Sequence, residues 1–186
     1  MSDRAAIDAG RRVLRMEAEA LAEAERRLSD GFARAVDIIT ASRGRVIVCG
    51  VGKSGHVGRK IAATLTSTGT AASFLHPVEG LHGDLGLVGT DDVALLLSKS
   101  GESDELLTLL SHLKRFGVRT IALTGTPAST LARECDASVD AWVRGEACPH
   151  DLAPTSSTTV AMALGDALAV AILERKGFRR EDFARL

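Results

Sequence analysis

Short, continuous apolar runs alternate along this chain with segments whose apolar residues recur at helical spacing. Arg45-Val46-Ile47-Val48-Cys49, stopped by Gly50, reads as a buried strand, and residues 72–75, 93–97, 118–123 and 137–143 read as further strands. Residues 3–41 are helical in character throughout, and residues 16–25 are rich in strong helix formers. Further helices are predicted from Ser54 onward and over residues 104–116, 127–134 and the Ala-rich 155–176, with Gly117 and Gly177 as stops. The loop over residues 77–86 has room for a short helical turn.

Strands and helices alternating at this spacing predict an α/β fold. Its form is a three-layer sandwich with a five-stranded parallel sheet, doubly wound in the flavodoxin-like manner, with right-handed crossovers. Strands apolar on both faces fit a sheet covered on both sides. No linker, low-complexity segment or internal repeat appears, so residues 1–186 read as a single domain in which 1–41 form an N-terminal helical segment.

Composition narrows the function. At 186 residues the chain is long enough for one sizeable core, and a net charge of −1 argues against a general nucleic-acid or membrane-surface binder. Aromatics make up 3% with no Tyr, which removes base-stacking platforms and leaves an aliphatic core. No segment reads as a membrane span, and no signal-peptide apolar region opens the chain. Cys49, Cys135 and Cys148 are odd in number and lack metal-ligand spacing, so a reduced, cytoplasmic protein is expected.

Three short polar segments carry the chemistry: Gly50-Val51-Gly52-Lys53-Ser54-Gly55-His56, Ser98-Lys99-Ser100-Gly101-Glu102-Ser103 and Thr155-Ser156-Ser157-Thr158. Small residues let backbone N–H groups approach an anion, hydroxyls add donors, and a following helix adds its positive end. A phosphorylated small molecule is the ligand they point to. The first segment lacks Walker A spacing. It fits Gly-x-Gly-x-x-Gly at Gly50, Gly52 and Gly55, but no acidic residue follows the second strand to meet a ribose. A plain glycine turn is the structural alternative. The serines of the second segment are equally suited to capping a helix, and the third segment has the same ambiguity.

These segments occur in order with Gly58-Arg59-Lys60, His82-Gly83-Asp84-Leu85-Gly86, Glu146-Ala147-Cys148-Pro149 and Leu152-Ala153-Pro154. Together they strongly resemble the sugar isomerase (SIS) domain of D-arabinose-5-phosphate isomerases, from about residue 10 to the end. The resemblance implies interconversion of ribulose 5-phosphate and arabinose 5-phosphate, which feeds synthesis of the lipopolysaccharide sugar Kdo. It implies a phosphate held by Ser54, Ser98, Ser100, Ser103, Ser156 and Thr158, with Gly52, Lys99, Thr155 and Ser157 beside them. It places Lys53, Glu105 and Glu146 in the active site.

An aldose–ketose shift needs a base to move a proton between C1 and C2, and donors or positive charge for the enediolate. Glu146 is the expected base, Glu105 orients or shares the transfer, and Lys53 stabilises phosphate or enediolate charge. Without the family, both glutamates are ordinary surface or loop carboxylates. His82 is expected to contact sugar hydroxyls or bind an inhibitory metal; no metal or cofactor is required by an enediol route. Lys99 stands where relatives usually have asparagine and is expected to tighten phosphate binding.

Longer relatives carry paired CBS domains after this domain, and none is expected within residues 1–186. Relatives also continue after Glu181-Asp182-Phe183-Ala184-Arg185-Leu186 with His-Pro-Gly-Gly, whose histidine belongs to the catalytic group, so the chain is expected to be a trimmed piece of a longer protein. Leu14, Met16, Leu21 and Leu28 give the N-terminal helix apolar surface for packing between subunits of a homotetramer. Two alternatives stand beside this assignment: an isomerase of another phosphosugar, such as 3-hexulose 6-phosphate, and a non-catalytic phosphosugar sensor.

Overall fold

The five apolar runs form strands in the computed structural model, which describes residues 3–183: β1 Val46–Gly50, β2 Ala72–Leu75, β3 Val93–Ser98, β4 Arg119–Thr124 and β5 Ala137–Asp140. They pair in parallel in the order β2-β1-β3-β4-β5, the flavodoxin-like arrangement expected from the alternation. β1 and β3 are buried at every position, as central strands of a doubly covered sheet must be.

The helices are α1 Asp3–Arg26, α2 Asp30–Ala41, α3 Gly52–Ser67, α4 Pro77–Leu81, α5 Asp104–Arg115, α6 Thr130–Glu134, α7 Ser156–Lys176 and α8 Arg180–Phe183, with a 3-10 turn over Asp84–Leu87. Alternate strand residues feed two cores. Val48, Leu95 and Ile121 face α2, α3 and α7, while Cys49, Leu96 and Ala122 face α5 and α6. Each fully buried Leu or Ile contributes about 1.5–3 kcal/mol. α3 and α7 lie so close that a Cβ on Gly165 would sit 2.4 Å from Ile61 Cδ1.

The N-terminal segment, helical throughout in the sequence, breaks at residues 27–29. Ser29 adopts an extended conformation (φ −139°) at the N-cap position of α2, with no capping hydrogen bond from its side chain. β5 stops at Asp140 rather than at Val143. The Asp140 carboxylate accepts the Trp142 N–H at 3.0 Å and pairs with Arg27, whose guanidinium stacks on Trp142, so the chain turns away from the sheet edge. α7 also corrects an expectation, because by length and apolarity alone it is a candidate membrane span. Here Val160, Leu164, Leu168 and Ile172 are buried in the core. Residues 184–186 of the C-terminal motif lie outside the described residues.

Candidate active site

A cleft of about 200 Å³ opens at the carboxyl ends of β1, β3 and β4, walled by Lys53, Ser54, Ser98, Lys99, Ser157 and Thr158 among others. It widens past Ser100 and Ser103 to residues 125–128 and Trp142. β1 and β3 are neighbours whose connections leave in opposite directions, the place where such sheets bind ligands.

The first polar segment joins β1 to α3. Gly52, with φ +56°, opens the helix, and Lys53 and Ser54 in its first turn reach the cleft. Gly55 serves packing: a Cβ there would lie 2.7 Å from the Gly50 carbonyl oxygen, so only glycine lets α3 start so close to β1. The glycine pattern is therefore a helix-on-strand contact with a cationic side chain mounted on it.

The second segment is tied together internally. Ser98 Oγ accepts the Gly101 N–H at 3.0 Å and shares a hydrogen bond of 3.0 Å with Ser103 Oγ, while Ser100 Oγ accepts the Glu102 N–H at 3.2 Å. The Lys99 carbonyl accepts from Gly125 N at 3.1 Å and Thr126 Oγ1 at 3.3 Å, fixing the loop to the end of β4. Gly101 has φ +68°, and a Cβ there would meet Ser129 Oγ at 2.1 Å. The loop is thus a rigid rim that presents hydroxyls and the Lys99 ammonium beside the N-terminus of α5.

At the third segment, the donors expected to meet a phosphate already hold a carboxylate of this chain. Glu146 Oε2 accepts Thr155 N at 2.8 Å, Thr155 Oγ1 at 3.2 Å and Ser157 N at 3.1 Å. Its Oε1 accepts from the Ser157 hydroxyl and from Lys99 Nζ at 2.7 Å. Thr155 Oγ1 in turn accepts the Ala147 N–H at 2.8 Å, and Asp151 accepts the Glu146 N–H at 2.6 Å. A negative group at the positive end of a long helix is favourable. Burial pushes the Glu146 carboxyl up. Hydrogen bonds from Lys99, the Ser157 hydroxyl and the backbone N–H groups of Thr155 and Ser157 outweigh burial and bring it down to about 2. Bonded in this way, Glu146 is a weak base behind the cleft wall.

Ser156 is buried at the start of α7, its hydroxyl without a hydrogen-bond partner, and Thr158 Oγ1 donates to the Thr155 carbonyl at 2.8 Å. Glu105 lies exposed in the first turn of α5 and His82 lies exposed at the end of α4; neither is among the residues that wall the cleft. Sequence reasoning passed over residues 125–128 and Trp142, which close the far side. Gly125-Thr126-Pro127 directly after a strand was the available signal.

Comparison with known proteins agrees with this architecture. The SIS domain family matches residues 38–171. Arabinose 5-phosphate isomerase KdsD of Pseudomonas aeruginosa is 52% identical over 178 residues, which is 96% of this chain and 55% of the relative. GutQ of Salmonella typhi, also named arabinose 5-phosphate isomerase, is 50% identical over 185 residues, 100% of this chain and 57% of the relative. The chain thus spans little more than half the length of these curated relatives. A solved structure of an Escherichia coli CFT073 protein in complex with A5P superposes with a TM-score of 0.95 at 41% identity, covering 100% of this chain and 98% of the other. With the family matched across β1 to α7 and the fold shared end to end, this chain belongs to the SIS domain family.

Proposed function

We propose that this chain interconverts D-ribulose 5-phosphate and D-arabinose 5-phosphate through an enediol intermediate. The observation that carries the assignment is the cleft itself: serine hydroxyls and the lysines Lys53 and Lys99 converge beside a buried carboxylate at the topological switch of a parallel sheet. The names of the relatives and the A5P held by the Escherichia coli neighbour support the same substrate.

In this reaction a base takes a proton from C1 of the ketose and O2 gains one, giving the enediol. O1 then loses its proton and C2 gains one, leaving the carbonyl at C1. Ser54, Ser100, Ser103 and Lys99 are assigned to the phosphate, and Lys53 to enediolate charge. Glu146 is the carboxylate assigned to proton transfer, and Glu105 and His82 would act on the sugar only if brought toward the cleft from their exposed turns. We assign the product to Kdo and lipopolysaccharide synthesis, the protein to the cytoplasm, and residues 1–41 to subunit contacts in a homotetramer.

The test is incubation of ribulose 5-phosphate with this 186-residue chain and detection of arabinose 5-phosphate. Turnover of 3-hexulose 6-phosphate in its place would shift the substrate. Binding of phosphosugars with no turnover of any would make the chain a sensor.

A further inference from the structure

We propose that Lys99 is an exchangeable cation, bonded to Glu146 Oε1 in this structure and transferred to the phosphate of an incoming phosphosugar, so that binding uncovers the Glu146 carboxylate toward the sugar. The proposal rests on the isomerase assignment and deepens it.

The two partners are built for unequal mobility. The Lys99 side chain is 52% exposed and walls both parts of the cleft, whereas the Glu146 side chain is 0% exposed. Only the carboxylate of this pair is buried; the ammonium already stands half in water, so the lysine can leave without being dragged out of a dry interior. The Lys99 backbone is pinned through its carbonyl to Gly125 and Thr126, so the four-carbon stem is the part free to swing.

Glu146 does not need the lysine to remain satisfied. Without Lys99 it keeps Thr155 N, Thr155 Oγ1, Ser157 N and the Ser157 hydroxyl, and no buried oxygen is left bare. A phosphate dianion at the 98–103 rim offers Lys99 twice the charge of the carboxylate it leaves, beside the N-terminus of α5.

Release of the lysine has a second consequence. Lys99 is one of the groups that lower the Glu146 carboxyl, so its departure makes that carboxylate a stronger base while substrate is bound. The other charged or titratable groups near Glu146 include Lys53 across the cleft from α3, and Arg144, Cys148, His150 and Asp151 on its own loop. The same cation would thus bind the phosphate and stop holding back the base.

The experiment compares the wild-type chain with Lys99→Met and Lys99→Gln, the latter keeping a donor toward Glu146 in case the methionine variant fails to fold. Inorganic phosphate is the binding probe, read by thermal shift. The pH profiles of kcat and kcat/KM for ribulose 5-phosphate report the substrate-bound and free enzyme. Phosphate binding is expected to weaken by about tenfold or more in both variants. The acidic limb of kcat in wild type should lie about one pH unit or more above that of kcat/KM, and the two limbs should coincide in the variants. Unchanged phosphate binding would overturn the proposal. So would weakened binding with limbs still separated as in wild type, which is the signature of a phosphate contact uncoupled from Glu146. A wild-type chain that turns over no sugar removes the isomerase assignment instead, and leaves the phosphate measurement to decide the binding role of Lys99.

Discussion

Lys99 Nζ lies 2.7 Å from Oε1 of Glu146, joining residues 47 positions apart in sequence, and the carboxylate it meets is wholly buried. The contact links the rim after β3 to the start of α7. Four further hydrogen bonds reach Glu146 from the start of α7, where two backbone N–H groups and two hydroxyls of Thr155 and Ser157 converge on it. Glu146 is therefore part of the architecture, because it organises the turn that begins α7.

Glu146→Ala is expected to destabilise the fold by about 3 kcal/mol, because the buried N–H groups of Thr155 and Ser157 lose their acceptor. For a domain of this size that lowers Tm by roughly 6–12 °C. Glu146→Gln should cost less, since one amide oxygen still accepts both N–H groups and the Ser157 hydroxyl can rotate to accept from the amide nitrogen. Thermal melts at neutral pH decide it. Equal melting of Ala and wild type would mean that the network adds no stability.

The same carboxylate gives the fold an acid-sensitive window. Its folded value of about 2 lies below the ordinary 4.5, so its stabilisation is complete above about pH 4.5 and is lost as pH falls toward 2. The difference amounts to about 3 kcal/mol. Chemical denaturation between pH 5 and pH 2 (a range set by about those two values) should show a steeper loss in wild type than in Glu146→Gln. Parallel curves would place the acid sensitivity elsewhere.

Much of this was readable from local sequence. Residues 93–97 announce a doubly covered strand because every side chain in the run is apolar, and the polar rim that follows sits where a strand end must put it. The break at 27–29 carried a weak signal, Ser29-Asp30, inside a strongly helical background. The pairing of Thr155 and Ser157 with Glu146 was not readable. It depends on a loop that folds back through Asp151, whose φ of +53° and acceptor oxygen position the Glu146 backbone. Hydroxyls before a helix look the same whether they await a phosphate or hold a glutamate.

Lys53 is placed for charge and not for stability: it is exposed, on the first turn of α3, and walls the cleft. Lys53→Met should leave the melting temperature nearly unchanged, with stability within about 0.5 kcal/mol of wild type. If Lys53 meets the enediolate, kcat falls by about 10²-fold or more. A variant with normal kcat and raised KM would move Lys53 to the phosphate.

Gly101→Ala tests the rigidity of the rim. The left-handed φ of +68° and the 2.1 Å approach of a Cβ to Ser129 Oγ act together, and Ser129 caps α6 by accepting the Ala132 N–H. The strain is about 1–3 kcal/mol, and relief by shifting the loop should displace Ser98 and Lys99 from the cleft. Both the melting temperature and inorganic-phosphate binding are expected to drop. A fall in stability with unchanged phosphate binding would show that the rim adjusts without moving its donors.

The outer face of α1 argues for a partner of the same kind. Ile7 is 55% exposed, Leu14 69%, Leu21 37% and Leu28, just past the helix, 45%, and these residues recur every seventh position along one side. Ala24 and the partly buried Ala20 on the same helix pack into the core, so α1 docks on the domain along the face that borders this stripe. An apolar stripe of this period is the pattern by which helices pair, each large side chain filling a gap on the facing helix. Glutamate at Leu14 and Leu21 together would place charge along that seam while leaving the inner face untouched. In sedimentation-velocity runs wild type should migrate as an oligomer, and the double variant as a smaller species with unchanged helicity. Wild type sedimenting as a monomer at micromolar concentration would remove α1 as a subunit contact.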